Sequence, residues 1–372
     1  MYISHLELHN FRNYSELSVT PGPGLNILIG KNAQGKTSLL EAIYMLAVSR
    51  SWRTVKDEEV IKWDAEYAKV SAEVTRQEQN DVEISVLISR TEKKKILINT
   101  IRQTKLADLM GQVNVVLIEP LDAEIVRGDP SRRRKFMNLE ISQVQPQYCH
   151  LLVNYRKVLE QRNRLLRDMQ GRGTGDGVLD VWNEQLIRYG SKILERRLVF
   201  IKRITDLARG IHSQITDGAE NLDIKYVSAI EFEGTESGEN IAEKLTAKLN
   251  EKRLEEIRRG VTLVGPQRDD LIFTINNVDA RVYGSQGQQR TISLSLRLAE
   301  MELMEEAAKE PPIVLLDDVM TDLDEDRRAH IFQMTLGRCQ IFVTAASERV
   351  FDPDFIAAGK KFKVSGGKVT AE

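Results

Sequence analysis

Eight residues, Gly30-Lys31-Asn32-Ala33-Gln34-Gly35-Lys36-Thr37, fit the pattern G-x-x-x-x-G-K-[ST]. Residue types at this spacing suit a triphosphate. Gly30 and Gly35 let the backbone turn its N–H groups toward phosphate oxygens, Lys36 brings an ammonium to the β and γ positions, and Thr37 offers a hydroxyl to Mg²⁺. Such a loop needs a strand before it and a helix after it. Leu25-Asn26-Ile27-Leu28-Ile29 is apolar enough for a buried strand, and the run from Ser38 to Ala47 reads as a helix whose positive end adds to the anion site.

A second constellation lies near the other end of the chain. Ile313-Val314-Leu315-Leu316 is an apolar strand ending in Asp317 and Asp318, with Leu323-Asp324 and a helix over 325–336 beyond it. Carboxylates at the C-terminal end of a parallel strand stand where open α/β sheets bind ligands. Asp317 is the expected Mg²⁺ holder, and Asp318 the group that orients or deprotonates the attacking water. Taken alone, the pair serves equally as a turn cap. Thr344 ends the next strand, Gln340-Ile341-Phe342-Val343-Thr344, and is either a γ-phosphate contact or an ordinary strand-end threonine.

Composition bounds the alternatives. The chain has 372 residues, 53 Lys and Arg against 55 Asp and Glu, and a net charge of −2, so any nucleic-acid contact must come from local patches. Cys149 and Cys339 are far apart and have no metal-ligand spacing, which suits idle thiols in a reducing compartment. No leader pattern and no membrane-length apolar run is present, and a cytoplasmic protein is expected.

The length calls for two lobes, or one lobe with a large insertion. Strands with a turn at Asn10-Phe11-Arg12-Asn13-Tyr14 are expected over 3–20, antiparallel strands over 68–75, 82–89 and 95–99, and a buried strand over 113–118. From 141 to 212 the pattern turns helical. Leu152, Leu159 and Leu166 recur every seven residues, as do Ile187, Leu194, Ile201 and Ala208 after a glycine-rich gap over 171–177. This reads as a helical hairpin, each helix spanning about 40 to 50 Å. An amphipathic helix over 239–259 and a hairpin pairing 271–275 with 280–283 follow.

The segment Gly284-Ser285-Gln286-Gly287-Gln288-Gln289-Arg290-Thr291, set before a helix expected over 292–309, resembles the signature motif of ABC ATPases. By itself it is also a capped helix start. With the loop at 30–37, the acidic strand end and Asp324 in the expected order, it becomes half of a nucleotide site, Ser285, Gly287 and Gln288 facing the γ-phosphate held by another subunit. An ATP-dependent homodimer is what that resemblance implies.

Resemblance then extends over the whole chain, and the sequence is identified as a member of the bacterial RecF family. The residues that carry it are 8–14, 30–43, Ser49-Arg50-Ser51-Trp52-Arg53, the run from Arg127 to Phe136, Gly265-Pro266-Gln267-Arg268-Asp269-Asp270, and 283–291. The resemblance implies an α/β fold: an ABC/SMC-type ATPase head with a mixed sheet, drawn at 1–140 and 260–372, and an inserted helical, short coiled-coil-like arm over 141–259. It implies ATP and Mg²⁺ as cofactors, DNA as ligand at gaps, single-strand/duplex junctions or duplex, RecO and RecR as partners, RecA indirectly, and a nucleoid association. Arg12, Lys31, Asn32, Ala33, Gln34, Ser38 and Asp324 join the expected nucleotide contacts. For DNA, Arg132, Arg133, Arg134 and Lys135 form one cationic cluster, while Arg188, Lys192, Arg196 and Arg203 lie mostly along one helix side and serve either as phosphate contacts or as a solvated face. Three departures from the pattern are Ala33 for glycine, Gln267 for histidine, and Thr321-Asp322 for Ser-Glu. Rival readings are an ABC-transporter nucleotide-binding subunit, a long-armed SMC-like ATPase, and a DNA scaffold for which ATP is only a switch.

Overall fold

The computed structural model describes all residues except 78, 171–175, 235, 322 and 352, and all their side chains but those of 176 and 354. Most of the glycine-rich gap and position 322 of the Thr321-Asp322 departure therefore lie outside the described residues.

β1 (Tyr2–Phe11) and β2 (Tyr14–Val19) make the first hairpin, its turn bent by left-handed φ angles at Asn10 and Arg12. β3 (Leu25–Ile29) leads through the glycine loop to α1 (Lys36–Val48), in which every residue but Thr37 is buried. A helix apolar on all sides belongs inside a lobe. The antiparallel run continues with β4 (Tyr67–Thr75), β5 (Val82–Ser89), β6 (Lys95–Ile98) and β7 (Ile101–Gln103), then β8 (Val115–Ile118). Helices follow: α2 (Ala123–Arg127), α3 (Pro130–Val144), α4 (Pro146–Met169) and α5 (Asp176–Ile215). After β9 (Leu222–Val227) and α6 (Gly238–Arg259) come β10 (Asp270–Ile275), the short β11 (Val278–Asp279) and α7 (Gln286–Ala308). The chain closes with β12 (Ile313–Leu316), α8 (Glu325–Thr335), β13 (Ile341–Ala345), α9 (Pro353–Ala357), β14 (Lys360–Ser365) and β15 (Lys368–Ala371).

Two compact units result: Met1–Asp122 with Gln214–Asp217 and Ser293–Glu372, and Ala123–Ser213 with Gly218–Ile292. The expected boundaries at 140 and 260 fall inside the second unit, because α3 packs on α4 and on β10 while β9 pairs with β10.

The first unit holds two sheets, ordered β2-β1-β4-β5-β6-β7 and β15-β14-β3-β13-β12-β8. In the second of these, β8, β12, β13, β3 and β14 run parallel. Their registers set Ile118 beside Leu316 and Ala345 beside Ile29, so the segments that follow β3, β8 and β12 emerge at one edge. That edge carries the site.

In the second unit α4 and α5 form the expected hairpin: Tyr148 meets Arg197, Tyr155 lies against Gly190, and Arg162 bonds Asn183, a steady antiparallel register. At 40 residues, α5 runs about 60 Å, longer than expected. The buried stripe of α4 is Tyr148, Tyr155, Val158, Arg162, Leu166 and Met169; Leu152 and Leu159 are only half-buried. A buried arginine replaces a leucine there because polar partners surround it. Arg162 donates to Asn183 Oδ1 at 2.8 Å, Thr262 Oγ1 at 2.7 Å and Glu256 Oε2 at 2.6 Å. Glu256, 0% exposed, also accepts from the Leu263 N–H at 2.7 Å. Two other expectations shift by a few residues. The second hairpin strand is Val278–Asp279 rather than 280–283, and α7 starts at Gln286 rather than 292, since turn bonds from Tyr283 to Asp279 and from Gly284 to Ala280 bend the chain first.

Removing the carboxylate strands a guanidinium in the interior, so Glu256→Ala should cost roughly 3–5 kcal/mol, checked by denaturant unfolding. A loss below about 1 kcal/mol, the range of an exposed pair, would show that water reaches Arg162.

Candidate nucleotide site and signature segment

The loop 30–35 is held from several sides. A Cβ at Gly30 would lie 2.2 Å from the Val364 carbonyl oxygen, and Gly35 has φ 119°. Both positions demand glycine. Tyr14 OH donates to Gly35 O at 3.0 Å and Asn13 Nδ2 to Gln34 O at 2.8 Å, so the first hairpin turn braces the loop. Gln34 Oε1 accepts from Gly366 N–H at 2.7 Å, which ties the loop to the β14–β15 turn and commits that side chain. Ala33 has φ 63°, the left-handed region, which gives the physical reason why glycine is usual there.

Lys36 is 4% exposed, its Nζ donating to Gly30 O at 2.7 Å and Lys31 O at 3.1 Å. Thr37 Oγ1 donates to Asp317 Oδ1 at 2.9 Å. A hydroxyl and a carboxylate from different elements thus converge, and two hard oxygen donors suit Mg²⁺, which takes one or two protein ligands alongside phosphate and water. No cluster of three or more His, Cys, Asp or Glu able to hold a metal occurs among the described residues. Burial, and Asp318 beside it, push the Asp317 carboxyl above its ordinary range against the bonds from Thr37 and Thr344. Asp318 follows at φ 51°, a strained angle for aspartate, and is among the residues that line the cavity.

That cavity, about 600 Å³, is lined by Asn32, Ala33, Gly35, Lys36, Thr37, Ser38 and Asp318, by Arg12, Asn13 and Arg53, and on the far side by Glu59, Ile61, Lys62, Trp63 and Asp64. Another, of about 670 Å³ at Gln77, Asn80, Asn99 and Gln112, has no Lys or Arg among the described residues that line it. Of these two, the former offers cations to a phosphate.

Several groups missing from the sequence reading complete this edge. Glu41, 0% exposed on α1, accepts from Arg12 Nε at 2.9 Å and Nη2 at 2.5 Å, from Ser51 Oγ at 2.5 Å, and from Arg53 Nη1 at 3.4 Å. One buried carboxylate aims two arginines at the cavity. Its signal was legible: a lone acid in an apolar helix must be paired. Trp52 packs edge-on against Tyr44 and bonds Glu119, which follows β8. Burial, Asp122 and Asp317 outweigh Arg297 and Trp52 and push the Glu119 carboxyl up to about 7.

Two expected nucleotide contacts are corrected. Thr344 is 0% exposed and does not line the cavity; its hydroxyl donates to Asp317 Oδ1 at 2.9 Å and accepts from Asp318 N–H at 2.9 Å, so it positions the acid pair from behind. Asp324 caps α8 through Arg327 N–H at 3.0 Å and pairs with the Arg327 guanidinium, and it is not among the described residues that line the cavity.

The signature segment sits in the second unit. Ser285 is exposed before α7; its Oγ accepts from Gln288 N–H at 3.1 Å, and its own N–H donates to Gln288 Oε1 at 2.9 Å. This reciprocal pair is a capping box. Gly287 is half-buried in the first turn.

Among the basic residues, Arg133 is withdrawn from the DNA set. It is 1% exposed, forks onto Asp270 at 2.6 and 2.9 Å, and donates to Gly128 O at 2.7 Å. Arg134 is half-buried and donates to Asp269 O at 2.9 Å. Arg132, Lys135, Arg188 and Lys192 are exposed. Gln267, the other departure, accepts from Tyr155 OH and donates to Val264 O at 3.0 Å, a structural tie.

The RecF/RecN/SMC N-terminal domain family matches residues 2–359. DNA replication and repair protein RecF of Oceanobacillus iheyensis is 43% identical over 371 residues, covering 99% of this chain and 100% of that one. The RecF protein of Bacillus subtilis is 41% identical over 368 residues, 99% of each. The chain belongs to the RecF family. A solved structure described as the recombination mediator protein RecF with ATP in the RecFOR pathway superposes with TM-score 0.92 at 33% identity, covering 100% of this chain and 97% of that one. An Smc head bound to the C-terminal winged-helix domain of ScpA matches at TM-score 0.56 and 15% identity over 100% and 98%, which speaks for the fold. The architecture is that of an ABC/SMC-type ATPase head with a helical insertion. Among the described residues no helix is long and apolar enough to cross a membrane.

The raised carboxyl yields a pH prediction for the nucleotide-free chain. Folded Glu119 holds its proton to a higher pH than unfolded Glu119, so stability falls as pH rises from about 4.5 to about 7, by up to about 3 kcal/mol. Glu119→Gln, neutral throughout, should flatten that part of the stability profile. Superimposable profiles would show that Glu119 ionises as an ordinary glutamate.

Proposed function

We propose that this RecF-family chain is an ATP-driven DNA clamp of recombinational repair and replication maintenance. The observation that carries the reading is the convergence of Lys36, Thr37, Asp317 and Asp318 at one sheet edge; the exposed Ser285, capped together with Gln288 at the start of α7, is the candidate second surface.

ATP would lie with its phosphates on the loop 30–37, within reach of Arg12. Thr37 and Asp317 would hold Mg²⁺, whose charge offsets the phosphates. Asp318 would orient the attacking water and take its proton. Signature residues of a second copy would close over the γ-phosphate through a hydroxyl and helix N–H groups. Nucleotide binding then favours the dimer, and hydrolysis removes the bridging phosphate and releases it. In this reading the ATPase head spans 1–140 and 260–372, the arm 141–259, and turnover is slow and DNA-stimulated. DNA at single-strand gaps or junctions would meet Arg132, Lys135, Arg188 and Lys192 through its phosphates, and RecO and RecR would use the clamp in loading RecA. The relative solved with ATP in the RecFOR pathway supports this assignment.

Asp318→Asn should slow hydrolysis by about 100-fold or more while the ATP-bound dimer accumulates in sedimentation runs. Wild-type chain that binds a non-hydrolysable analogue yet stays monomeric would overturn the dimer reading. The scaffold reading predicts that cells carrying Asp318→Asn still repair gaps, the cycling clamp that they fail.

Backbone contacts make DNA affinity salt-dependent, each adding about 0.9 to the slope of log K against log[salt]. Arg188→Ala with Lys192→Ala should therefore lower that slope by roughly 2. An unchanged slope would return both residues to the solvated face.

A further inference from the structure

Beyond the motif residues, the second unit carries a hydrogen-bonded chain that ends on the signature glutamine. Gln288 Nε2 donates to Glu220 Oε1 at 2.9 Å, and Glu220 Oε2 lies 3.0 Å from His212 Nε2. His212 is 0% exposed, whereas Glu220 is 21% exposed at its side chain. Glu220 stands just before β9, in a segment that neither the loop chemistry nor the acidic strand end involves.

The orientation of the Gln288 amide is dictated by its partners. A carboxylate only accepts and a backbone N–H only donates, so Nε2 must face Glu220 and Oε1 must face the Ser285 N–H. With Oε1 fixed, the capping box closes, and the Gln288 N–H points at Ser285 Oγ. A hydroxyl oxygen that accepts on one side keeps its own hydrogen for a ligand on the other, and the capping box engages the third amide of α7 while the amides of Gln286 and Gly287 precede it. The donors for an incoming phosphate are thereby set before it arrives, which lowers the ordering cost of association. The carboxylate itself spends its two oxygens on Gln288 and His212, so its charge is bonded back into the protein.

We propose that Glu220 is a positioning residue for the signature site: as a hydrogen-bond acceptor it fixes the Gln288 amide, and through it the Ser285 hydroxyl, for the γ-phosphate of a nucleotide held by a second copy. The inference rests on the dimer reading above. It is tested by measuring, in parallel on the full chain, nucleotide affinity and analogue-dependent dimerisation for wild type, Glu220→Ala and Glu220→Gln. Glu220→Ala should weaken dimerisation about 10-fold, the effect of one lost charge-assisted bond, while nucleotide affinity of the monomer stays within about twofold, since its phosphate loop lies elsewhere in sequence. Glu220→Gln, whose carbonyl still accepts from Nε2, should restore dimerisation. A residue needed only for folding would lower both readouts together and would not be rescued so selectively.

Equal or tighter dimerisation of Glu220→Ala overturns the proposal, as does Glu220→Gln behaving like Glu220→Ala. If Glu220→Ala does not fold, Glu220→Asp, which withdraws the acceptor by one methylene, gives the same decision. Wild-type chain that never dimerises with analogue bound would instead sink the dimer reading itself, so the two failures are distinguishable.

Discussion

A single contact, Thr37 Oγ1 to Asp317 Oδ1 at 2.9 Å, joins residues 280 positions apart and marks the point on which the site depends. It forms only because β3, β13 and β12 are parallel neighbours in register, which sets the start of α1 against the end of β12. Non-local pairings of this kind close large loops of chain and gain their stabilisation only once the sheet is complete. The chain from 123 to 292, which lies between β8 and β12, can therefore vary in length without touching the geometry at the edge, provided that β8 and β12 keep their places side by side in the sheet. That tolerance is the physical opening through which a helical insertion of this size enters such a head.

Buried charge organises what apolar packing alone leaves loose. Glu41 and Arg162 are each nearly or wholly removed from solvent, and each is matched by several partners rather than one. A buried ion that loses a partner costs several kcal/mol, so a wrong arrangement around it is strongly disfavoured even where the right one adds little net stability. In the first unit this rule aims Arg12 and Arg53 at the cavity. In the second it fixes α4 against α5 and the segment beyond α6. Position, more than stability, is what these charges supply.

Much of this was legible. The loop 30–37, the acidic strand end and most strands follow from spacing and apolar runs, because those features depend on neighbours close in sequence. What escaped depends on partners far away. Leu152 and Leu159 obey a seven-residue repeat, yet the inward face of α4 is set by Tyr148, Tyr155 and Arg162, whose partners lie on α5 and near Thr262. Arg133 belongs to a basic run in sequence but to Asp270 in space. Thr344 ends a strand as expected, and only the neighbouring strand shows that its hydroxyl is taken up by Asp317 and Asp318. Helix α7 begins six residues early for a local reason instead: its capping box pairs Ser285 and Gln288, three apart, and hydrophobic periodicity does not report that.

The loop's lysine shows how such a site can respond to nucleotide at all. Lys36 Nζ is bonded to two loop carbonyls, Gly30 O and Lys31 O, and is nearly buried. A phosphate that draws it away replaces neutral acceptors by charged ones, whose hydrogen bonds are roughly twice as strong. The same loop is tied through Asn13 to the first hairpin turn, where Arg12 sits, and through Gln34 to the β14–β15 turn. Any shift of the loop backbone on engaging phosphate is therefore shared by Arg12 and, through Glu41, by Arg53. Those two cations line the same cavity as the loop. On the proposed reading, a phosphate engaged at the loop would act on both cations over these few bonds, with no change needed in the sheet beneath.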